Sequence, residues 1–143
     1  MSKKLHVRGS CHCGGVKFEA DLVDGYETAR RCDCSICRMR GAIAVSANVS
    51  EFTILKGGEL LSLYQFNTKQ AEHYFCSVCG IYTHHKRRSK PHEYGINVAC
   101  IDDKSPFDFE TVPVMDGQSH PKDGAKARVA GHLNFEATVE TKK

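Results

Sequence analysis

The sequence has no long apolar segment and no clear secretory signal. Its longest unbroken aliphatic run extends only from Ala42 to Val45, whereas a membrane-spanning helix needs about 18 apolar residues or more. The first residues carry positive charge but lack the apolar stretch and the small-residue cleavage site of a signal peptide. We therefore expect a cytoplasmic protein with no membrane partner.

Strong charge imbalance and low complexity are also absent. The 143 residues are 41% hydrophobic and 26% charged, with a formal net charge of +3. This composition excludes a disordered or fibrous chain and is typical of a soluble domain with its own core. We predict a single domain over residues 1–143.

No stretch has the periodicity of a long amphipathic helix, but several alternate between apolar and polar residues. From Val16 to Leu22 every second residue is apolar, which is typical of a half-buried strand. We predict further strands at residues 43–49, 52–54, 60–66, 71–76 and 96–100, a helical turn at 35–40, and a mostly looped part from 106 to 143. The expected fold is mainly β, with antiparallel sheets and zinc-bearing turns.

Eight cysteines stand out in a chain that is expected to remain in a reducing compartment. Seven of them form three tight clusters: Cys11 and Cys13; Cys32, Cys34 and Cys37; and Cys76 and Cys79. Thiolates one or two residues apart can reach the same zinc ion, whereas a disulfide between such close neighbours is strained. The spacing favours zinc, and we predict two Zn²⁺ ions per chain.

The first and third clusters have the same form, because each is followed by glycine and leads towards a strand. Together they offer four sulfurs, the number that a closed tetrahedral zinc site requires. We predict that Cys11, Cys13, Cys76 and Cys79 hold a structural zinc ion.

The middle cluster offers only three sulfurs, from Cys32, Cys34 and Cys37. Three protein ligands leave one tetrahedral position open, as in catalytic zinc sites, so these cysteines are the predicted catalytic centre. In the alternative, Cys100 completes a second closed site. Against that alternative, Cys100 shares the apolar face of Ile96 and Val98, where a lone cysteine usually behaves as a small hydrophobic residue.

The basic residues raise the possibility of nucleic-acid binding, which we consider the weaker interpretation. Seven thiolates and two zinc ions together remove three positive charges, so the metal-loaded protein is nearly neutral. No aromatic stacking platform is interleaved with the basic residues. The arginines around the middle cluster, Arg30, Arg31, Arg38 and Arg40, would instead offset the negative charge of the three thiolates or bind ligand carboxylates.

The motifs follow one another in a distinctive order: Gly9-Ser10-Cys11-His12-Cys13-Gly14-Gly15-Val16, Cys32-Asp33-Cys34-Ser35-Ile36-Cys37-Arg38, Tyr74-Phe75-Cys76-Ser77-Val78-Cys79-Gly80 and Asn97-Val98-Ala99-Cys100. Over residues from about 9 to 101 this order resembles the glutathione-dependent formaldehyde-activating enzyme family, whose domain also occurs in centromere protein V. The resemblance implies an Mss4-like fold, a structural zinc on the four-cysteine set and a catalytic zinc on the three-cysteine set.

The resemblance also implies an activity. The family reaction joins glutathione and formaldehyde to S-hydroxymethylglutathione, and its reverse is that of a carbon–sulfur lyase. The resemblance therefore implies that this chain acts as such an enzyme on a small thiol, such as glutathione, and a small carbonyl, such as formaldehyde. Two alternatives stay open: a zinc-stabilised interaction module without catalysis, and a thiol redox protein in which a free Cys34 or Cys100 is the nucleophile when the middle site holds no metal.

Overall fold

The computed structural model describes residues 4–117 and 128–139, and it is built almost entirely of strands. Along these residues lie ten strands and one α-helix: β1 (Leu5–Ser10), β2 (Lys17–Tyr26), β3 (Arg31–Cys32), α1 (Ser35–Arg40), β4 (Ala44–Lys56), β5 (Leu61–Tyr64), β6 (Glu72–Cys76), β7 (Tyr82–Lys86), β8 (Glu93–Asn97), β9 (Thr111–Met115) and β10 (Val129–Asn134). Short 3₁₀ turns occupy Gly58–Leu60, Val98–Cys100 and Pro106–Asp108. In the described residues, no helix is long and apolar enough to cross a membrane.

The strands form two sheets. Seven of them pair in the order β1-β2-β4-β8-β7-β6-β5, and every pair in this sheet is antiparallel. The second sheet has the order β10-β9-β3, with β10 antiparallel and β3 parallel to β9. The prediction of a mainly β, largely antiparallel fold is confirmed.

The main core lies against the middle of the large sheet. Phe18, Ala20 and Leu22 of β2 are almost completely buried, as the alternating pattern predicts, and they pack with Val45 and Ile96 from the neighbouring strands. Burying a side chain of this size stabilises the fold by roughly 1.5–3 kcal/mol. Alternation in the sequence therefore predicts correctly which face of β2 is internal.

Helix α1 is short because glycine ends it after one and a half turns. Gly41 adopts a left-handed conformation with φ of 69°, and its N–H donates to the carbonyl of Cys37 at 2.9 Å. A residue with a Cβ atom is strained in that conformation, whereas glycine adopts it at little cost. The helix can therefore end at this position without strain. The predicted helical turn at residues 35–40 is confirmed.

Two predictions about secondary structure require correction. The strand expected through Cys100 ends at Asn97, whose side-chain oxygen accepts the N–H of Ala99 at 3.1 Å and so replaces strand pairing with a 3₁₀ turn. The part after Pro106, predicted to be mostly loop, contains β9 and β10, which pair with each other and with β3. Residues 118–127 and 140–143 of that part lie outside the described residues.

Candidate metal centres

Four cysteines that are distant in sequence meet at one end of the large sheet. Cys11 and Cys13 lie in the turn between β1 and β2, Cys76 ends β6, and Cys79 lies in the turn before β7. Their sulfurs all lie within 4.8 Å of one another, with Cys11 and Cys13 separated by 3.6 Å and Cys13 and Cys76 by 3.8 Å. Sulfurs bound at about 2.3 Å to one tetrahedral zinc lie about 3.8 Å apart. The four-cysteine centre therefore fits a metal ion of this size.

Backbone N–H groups point at these sulfurs. Three such contacts have N···S distances of 3.3–3.4 Å: Val16 to Cys11, Gly15 to Cys13 and Val78 to Cys76. Backbone N–H groups of Cys13 and Ile81 lower the pKa of Cys79 to about 6. Donors aimed at sulfur stabilise thiolates, which are the form that binds metal.

The four-cysteine centre has its own small apolar core. Cys11 and Cys76 are buried and pack with Val16, Leu60 and Leu61, separately from the main core. The centre thus joins the β1–β2 turn to the β6–β7 turn over a small apolar cluster, and a metal ion would cross-link distant parts of the chain.

The three-cysteine centre is built from a short segment around α1. Cys32 ends β3, Cys34 immediately precedes α1, and Cys37 lies within it, so that the three sulfurs lie within 4.8 Å of one another. In the described residues no fourth cysteine, histidine or carboxylate belongs to this group. Contacts from Cys32 and Cys37 hold the pKa of Cys34 well below its usual range, and the contact with Cys34 raises the pKa of Cys32. Three sulfurs, one of which ionises readily, suit a metal ion with a further position for a ligand.

The backbone after β9 lies directly against the three-cysteine centre. A Cβ atom on Gly117 would approach the sulfur of Cys32 to 2.5 Å and the Cβ atom of Cys34 to 2.6 Å. The Gly117 N–H donates to Asp33 Oδ1 at 2.7 Å, and the Asp33 N–H donates to the carbonyl of Met115 at 3.1 Å. Only glycine fits at position 117 without displacing the cysteines.

Arg40, at the end of α1, links the three-cysteine centre to the large sheet. Its guanidinium donates to Cys37 Sγ at 3.5 Å and contacts His73 Nδ1 at 3.1 Å. The same group lies 3.7 Å above the centroid of the Tyr82 ring, which is a favourable position for a cation. Burial, followed by the charge of Arg40, lowers the pKa of His73 to about 4, so this imidazole is neutral at pH 7 and Nδ1 accepts.

A pocket of about 390 Å³ opens beside Arg40 and touches both cysteine-bearing regions. Ile36, Arg40 and Ala42 line it from the α1 side, and Gly80 and Ile81 line it from the turn that carries Cys79. Its remaining wall is largely aromatic and comes from β5, β6 and the start of β7: Tyr64, His73, Tyr74, Phe75 and Tyr82, with Asn97 from the end of β8. A small molecule in this pocket would lie next to the residues that surround Cys37.

Cys100 is not one of the clustered sulfurs, although the charges of Cys11 and Cys79 act on its thiol. Its side chain is 6% exposed, its sulfur donates to the carbonyl of Tyr82 at 3.5 Å, and burial raises the pKa of its thiol to about 12. It belongs to neither group of clustered sulfurs in the described residues. Cys100 is therefore a core residue, as the sequence predicts, but it lies in a 3₁₀ turn and not in the predicted strand.

In the described residues, the histidines that follow the third cluster belong to neither group of candidate metal ligands. His84 is buried among Phe52, Tyr74 and Tyr94, with ring centroids 4.4–4.9 Å away. His85 shares a 2.6 Å hydrogen bond with the Tyr82 hydroxyl.

Sequence reasoning assigns no role to His73. This residue reaches Arg40 only because β6 and α1 meet in the folded chain.

Sequence reasoning also missed Gly117. The segment that carries it is separated from Cys32 and Cys34 by more than 80 residues, and no motif marks the contact. The sequence marks Arg40 only as one of four arginines near the middle cluster, and no sequence signal distinguishes it from the other three.

Comparisons with known proteins agree with this geometry. The model of the glutathione-dependent formaldehyde-activating enzyme family matches residues 6–115. A Halomonas elongata protein that carries the provisional name glutathione-dependent formaldehyde-activating enzyme is 37% identical over an alignment of 81 residues, with a coverage of 51% of this chain and 51% of that protein. The chain thus spans about half the length of this curated relative.

A solved structure has the same fold. The crystal structure of a Rhodobacter sphaeroides protein is 54% identical in sequence and superposes with a TM-score of 0.74, covering 75% of this chain and 98% of the other. The family match spans most of the chain and contains all seven clustered cysteines. The chain therefore belongs to the glutathione-dependent formaldehyde-activating enzyme family.

Proposed function

We propose that this protein is a zinc-dependent enzyme of the carbon–sulfur lyase type that acts on a small thiol and a small carbonyl, with glutathione and formaldehyde as the first pair to test. Cys32, Cys34 and Cys37 would hold the catalytic zinc, and Cys11, Cys13, Cys76 and Cys79 the structural one. Both centres would work within a single domain, because residues beside each of them line the same pocket.

The chemistry is an addition without oxidation or reduction. A bond forms between the thiol sulfur and the carbonyl carbon, the C=O double bond becomes a C–O single bond, and the thiol proton ends on that oxygen. When zinc is bound to three thiolates, it supplies an open position for a fourth sulfur and a Lewis acid for a carbonyl. The chain's own task is to bring the two reactants together and keep competing water away.

One observation supports this function over the alternatives: the three-cysteine centre has one sulfur fewer than a closed tetrahedral site, and Ile36 and Arg40, beside Cys37, line a pocket. The other centre has four sulfurs, the closed number. A zinc-stabilised interaction module needs no open position and no adjoining cavity. A redox protein needs a nucleophilic thiol and a second sulfur that are both free of metal. Cys32 and Cys37 lie near Cys34, but a metal ion at the three-cysteine centre would occupy all three sulfurs, and Cys100 is not part of that group.

Cobalt substitution tests the open position directly. In protein loaded with Co²⁺ at both centres, one equivalent of glutathione should change the charge-transfer and ligand-field bands of one site, because a fourth sulfur joins three. Cys34→Ser should remove this response, and Cys100→Ser, the matched control outside both centres, should keep it.

The reaction itself is measured with the zinc-loaded protein. Exchange between free formaldehyde and the thiol adduct, followed by NMR, should be faster than the uncatalysed exchange with wild-type protein and with Cys100→Ser, but not with Cys34→Ser. If glutathione leaves the cobalt spectrum unchanged but another small thiol alters it, glutathione is the wrong substrate. If no thiol or carbonyl alters it, the site is closed and the interaction module becomes the better interpretation.

A further inference from the structure

The four arginines around the three-cysteine centre occupy different environments. The guanidinium of Arg30 is directed into the protein, where it donates to the carbonyls of Thr28 and Ala44 and, at 2.8 Å, to Ser46 Oγ. Arg38 is exposed on the outer side of α1. Among the four, Arg40 is the one that lines the pocket.

Three contacts hold the Arg40 guanidinium in one orientation. The Tyr82 ring supports its face, while His73 Nδ1 and Cys37 Sγ each accept one N–H. A guanidinium has five N–H donors, so these contacts leave donors available to a ligand. Its three partners are an aromatic ring, a neutral imidazole and a cysteine. None of the ion pairs found among the described residues includes Arg40.

The surroundings of Arg40 favour binding of an anion. Ile36, Tyr64, Phe75 and Ile81 give the pocket an apolar and aromatic wall, and a charge next to such a wall is poorly screened by water. Planar guanidinium groups bind carboxylates with two parallel hydrogen bonds, which an ammonium group cannot do. A carboxylate entering the pocket therefore finds a fixed, partly desolvated partner.

Arg40 lies close enough to both the three-cysteine centre and the pocket for one small ligand to contact both. The same guanidinium touches Cys37 on one side and the pocket on the other. A molecule with a thiol and a carboxylate a few bonds apart can place its sulfur at the three-cysteine centre and its carboxylate at Arg40. A thiol without a carboxylate makes only the first of these contacts.

We propose that Arg40 is the carboxylate-binding residue of the pocket and that it makes the site selective for small thiols that carry a carboxylate. The selectivity for thiols rests on the proposed function, since it places the ligand sulfur at the three-cysteine centre. The carboxylate contact does not require a metal-bound sulfur and can be tested separately.

Selectivity is measured by titrating cobalt-loaded protein with glutathione and with its diethyl ester, which has the same thiol and no free carboxylate. Wild type should bind glutathione about 10-fold more tightly or better, Arg40→Gln should bind both equally, and Arg40→Lys should be intermediate. Arg38→Gln, the matched change on the exposed side of α1, should behave as wild type. If Arg40 only offsets the charge of the thiolates, Arg40→Gln weakens both ligands by the same factor, and the proposal is wrong.

A second ligand separates this proposal from the proposed function. S-methylglutathione has both carboxylates but no thiol, and saturation-transfer NMR should detect its binding to wild type and Arg38→Gln but not to Arg40→Gln. The metal content and near-ultraviolet circular dichroism of each variant establish that it is folded and loaded. If S-methylglutathione binds as expected while no thiol alters the cobalt spectrum, the open metal position is refuted and the role of Arg40 stands. Equal binding, or no binding, to wild type and Arg40→Gln overturns the role of Arg40.

Discussion

At the scale of single residues, His84 shows how burial decides the chemistry of a side chain. Its ring is 3% exposed, packs against three aromatic rings, and shares a 2.9 Å hydrogen bond with Thr83 Oγ1. Burial lowers its pKa to about 3. His84 is therefore neutral in the folded protein at pH 7 and at pH 5, and it acts as an aromatic core residue.

This burial makes stability depend on pH. In the unfolded chain His84 has a pKa near 6.5 and takes up a proton below that value, which favours unfolding as the pH falls. Between pH 7 and pH 5 the stability difference between wild type and His84→Phe should shift by about 2 kcal/mol in favour of the variant. Above pH 7 the difference should be constant.

Denaturant unfolding of both proteins at several pH values measures this shift. Comparing the two removes the effects of protons on the cysteines, which the proteins share. A difference that does not change between pH 7 and pH 5 would show that His84 takes up a proton in the folded protein as readily as in the unfolded chain, so that burial does not lower its pKa.

At the scale of elements, the three-cysteine centre depends on how β9 meets β3 and α1. Arg31 and Cys32 of β3 pair in parallel with Val114 and Met115 of β9, and this pairing brings Gly117 against the cysteines. In the described residues, the segment from Cys32 to Cys37 supplies all three candidate ligands. The segment after the distant strand β9 lies directly against them. The geometry of the centre is therefore shared between two parts of the chain.

We expect Gly117→Ala to damage this centre selectively. The new methyl group would collide with Cys32 Sγ and with the Cβ and backbone N of Cys34, so these atoms or the backbone at residue 117 must shift, and we expect the spacing of the sulfurs to change. The variant should keep its β circular dichroism and lose about one metal equivalent, with a similar loss of any response to thiols.

Gly131→Ala is the matched control for this change. Gly131 lies in β10 of the same sheet, and a Cβ atom there would meet no other atom within 4 Å. Metal analysis of the two purified variants decides the prediction. Full metal content in Gly117→Ala, or equal loss in both variants, would contradict the close contact at Gly117.

At the scale of the whole molecule, the two centres connect different lengths of chain. The four-cysteine centre joins the β1–β2 turn to the β6–β7 turn across the large sheet, whereas the three-cysteine centre lies within residues 32–37. A metal ion that joins distant segments contributes its binding free energy to folding. One that joins near neighbours constrains the unfolded chain much less.

We therefore expect unequal effects of losing one ligand from each centre. Cys79→Ser should lower the free energy of unfolding by several kcal/mol and in many conditions prevent folding, because it opens the cross-link between the turns. Cys34→Ser should retain the β fold and lose about one zinc ion. Cys100→Ser, a buried cysteine outside both centres, should retain two.

Elemental analysis and denaturant unfolding of the three variants test this division. Wild-type protein that has not met a chelator should contain two zinc ions per chain. Equal destabilisation by Cys79→Ser and Cys34→Ser would show that both centres support the fold alike, and a wild-type value near one would remove the catalytic zinc.

Much of the fold was predictable because its signals are local. Phe18, Ala20 and Leu22 are buried because a strand places alternate residues on one face, and the helical turn ends at Gly41 because glycine accepts the left-handed conformation there. The three cysteine clusters were likewise predictable as candidate metal ligands, because residues two or three positions apart are already close before the chain folds. That the first and third clusters form one set was predicted from the count of four sulfurs and not from any local contact. The 3₁₀ turn at Val98–Cys100 was not predictable from the sequence. The alternating apolar pattern continues through these residues, whereas the Asn97 side-chain oxygen accepts a backbone N–H and ends the strand.

The sequence by itself determined the strand periodicity, the composition of the two cysteine sets and the family to which the chain belongs. Only the tertiary structure decided that β9 would lie beside β3, that Gly117 would press against Cys32, and that Arg40 would lie between Cys37, His73 and Tyr82. The physical reason is sequence separation. Contacts across 33 residues, as for Arg40 and His73, or across 84, as for Asp33 and Gly117, depend on how complete sheets pack and leave no periodic or local mark on the residues that make them.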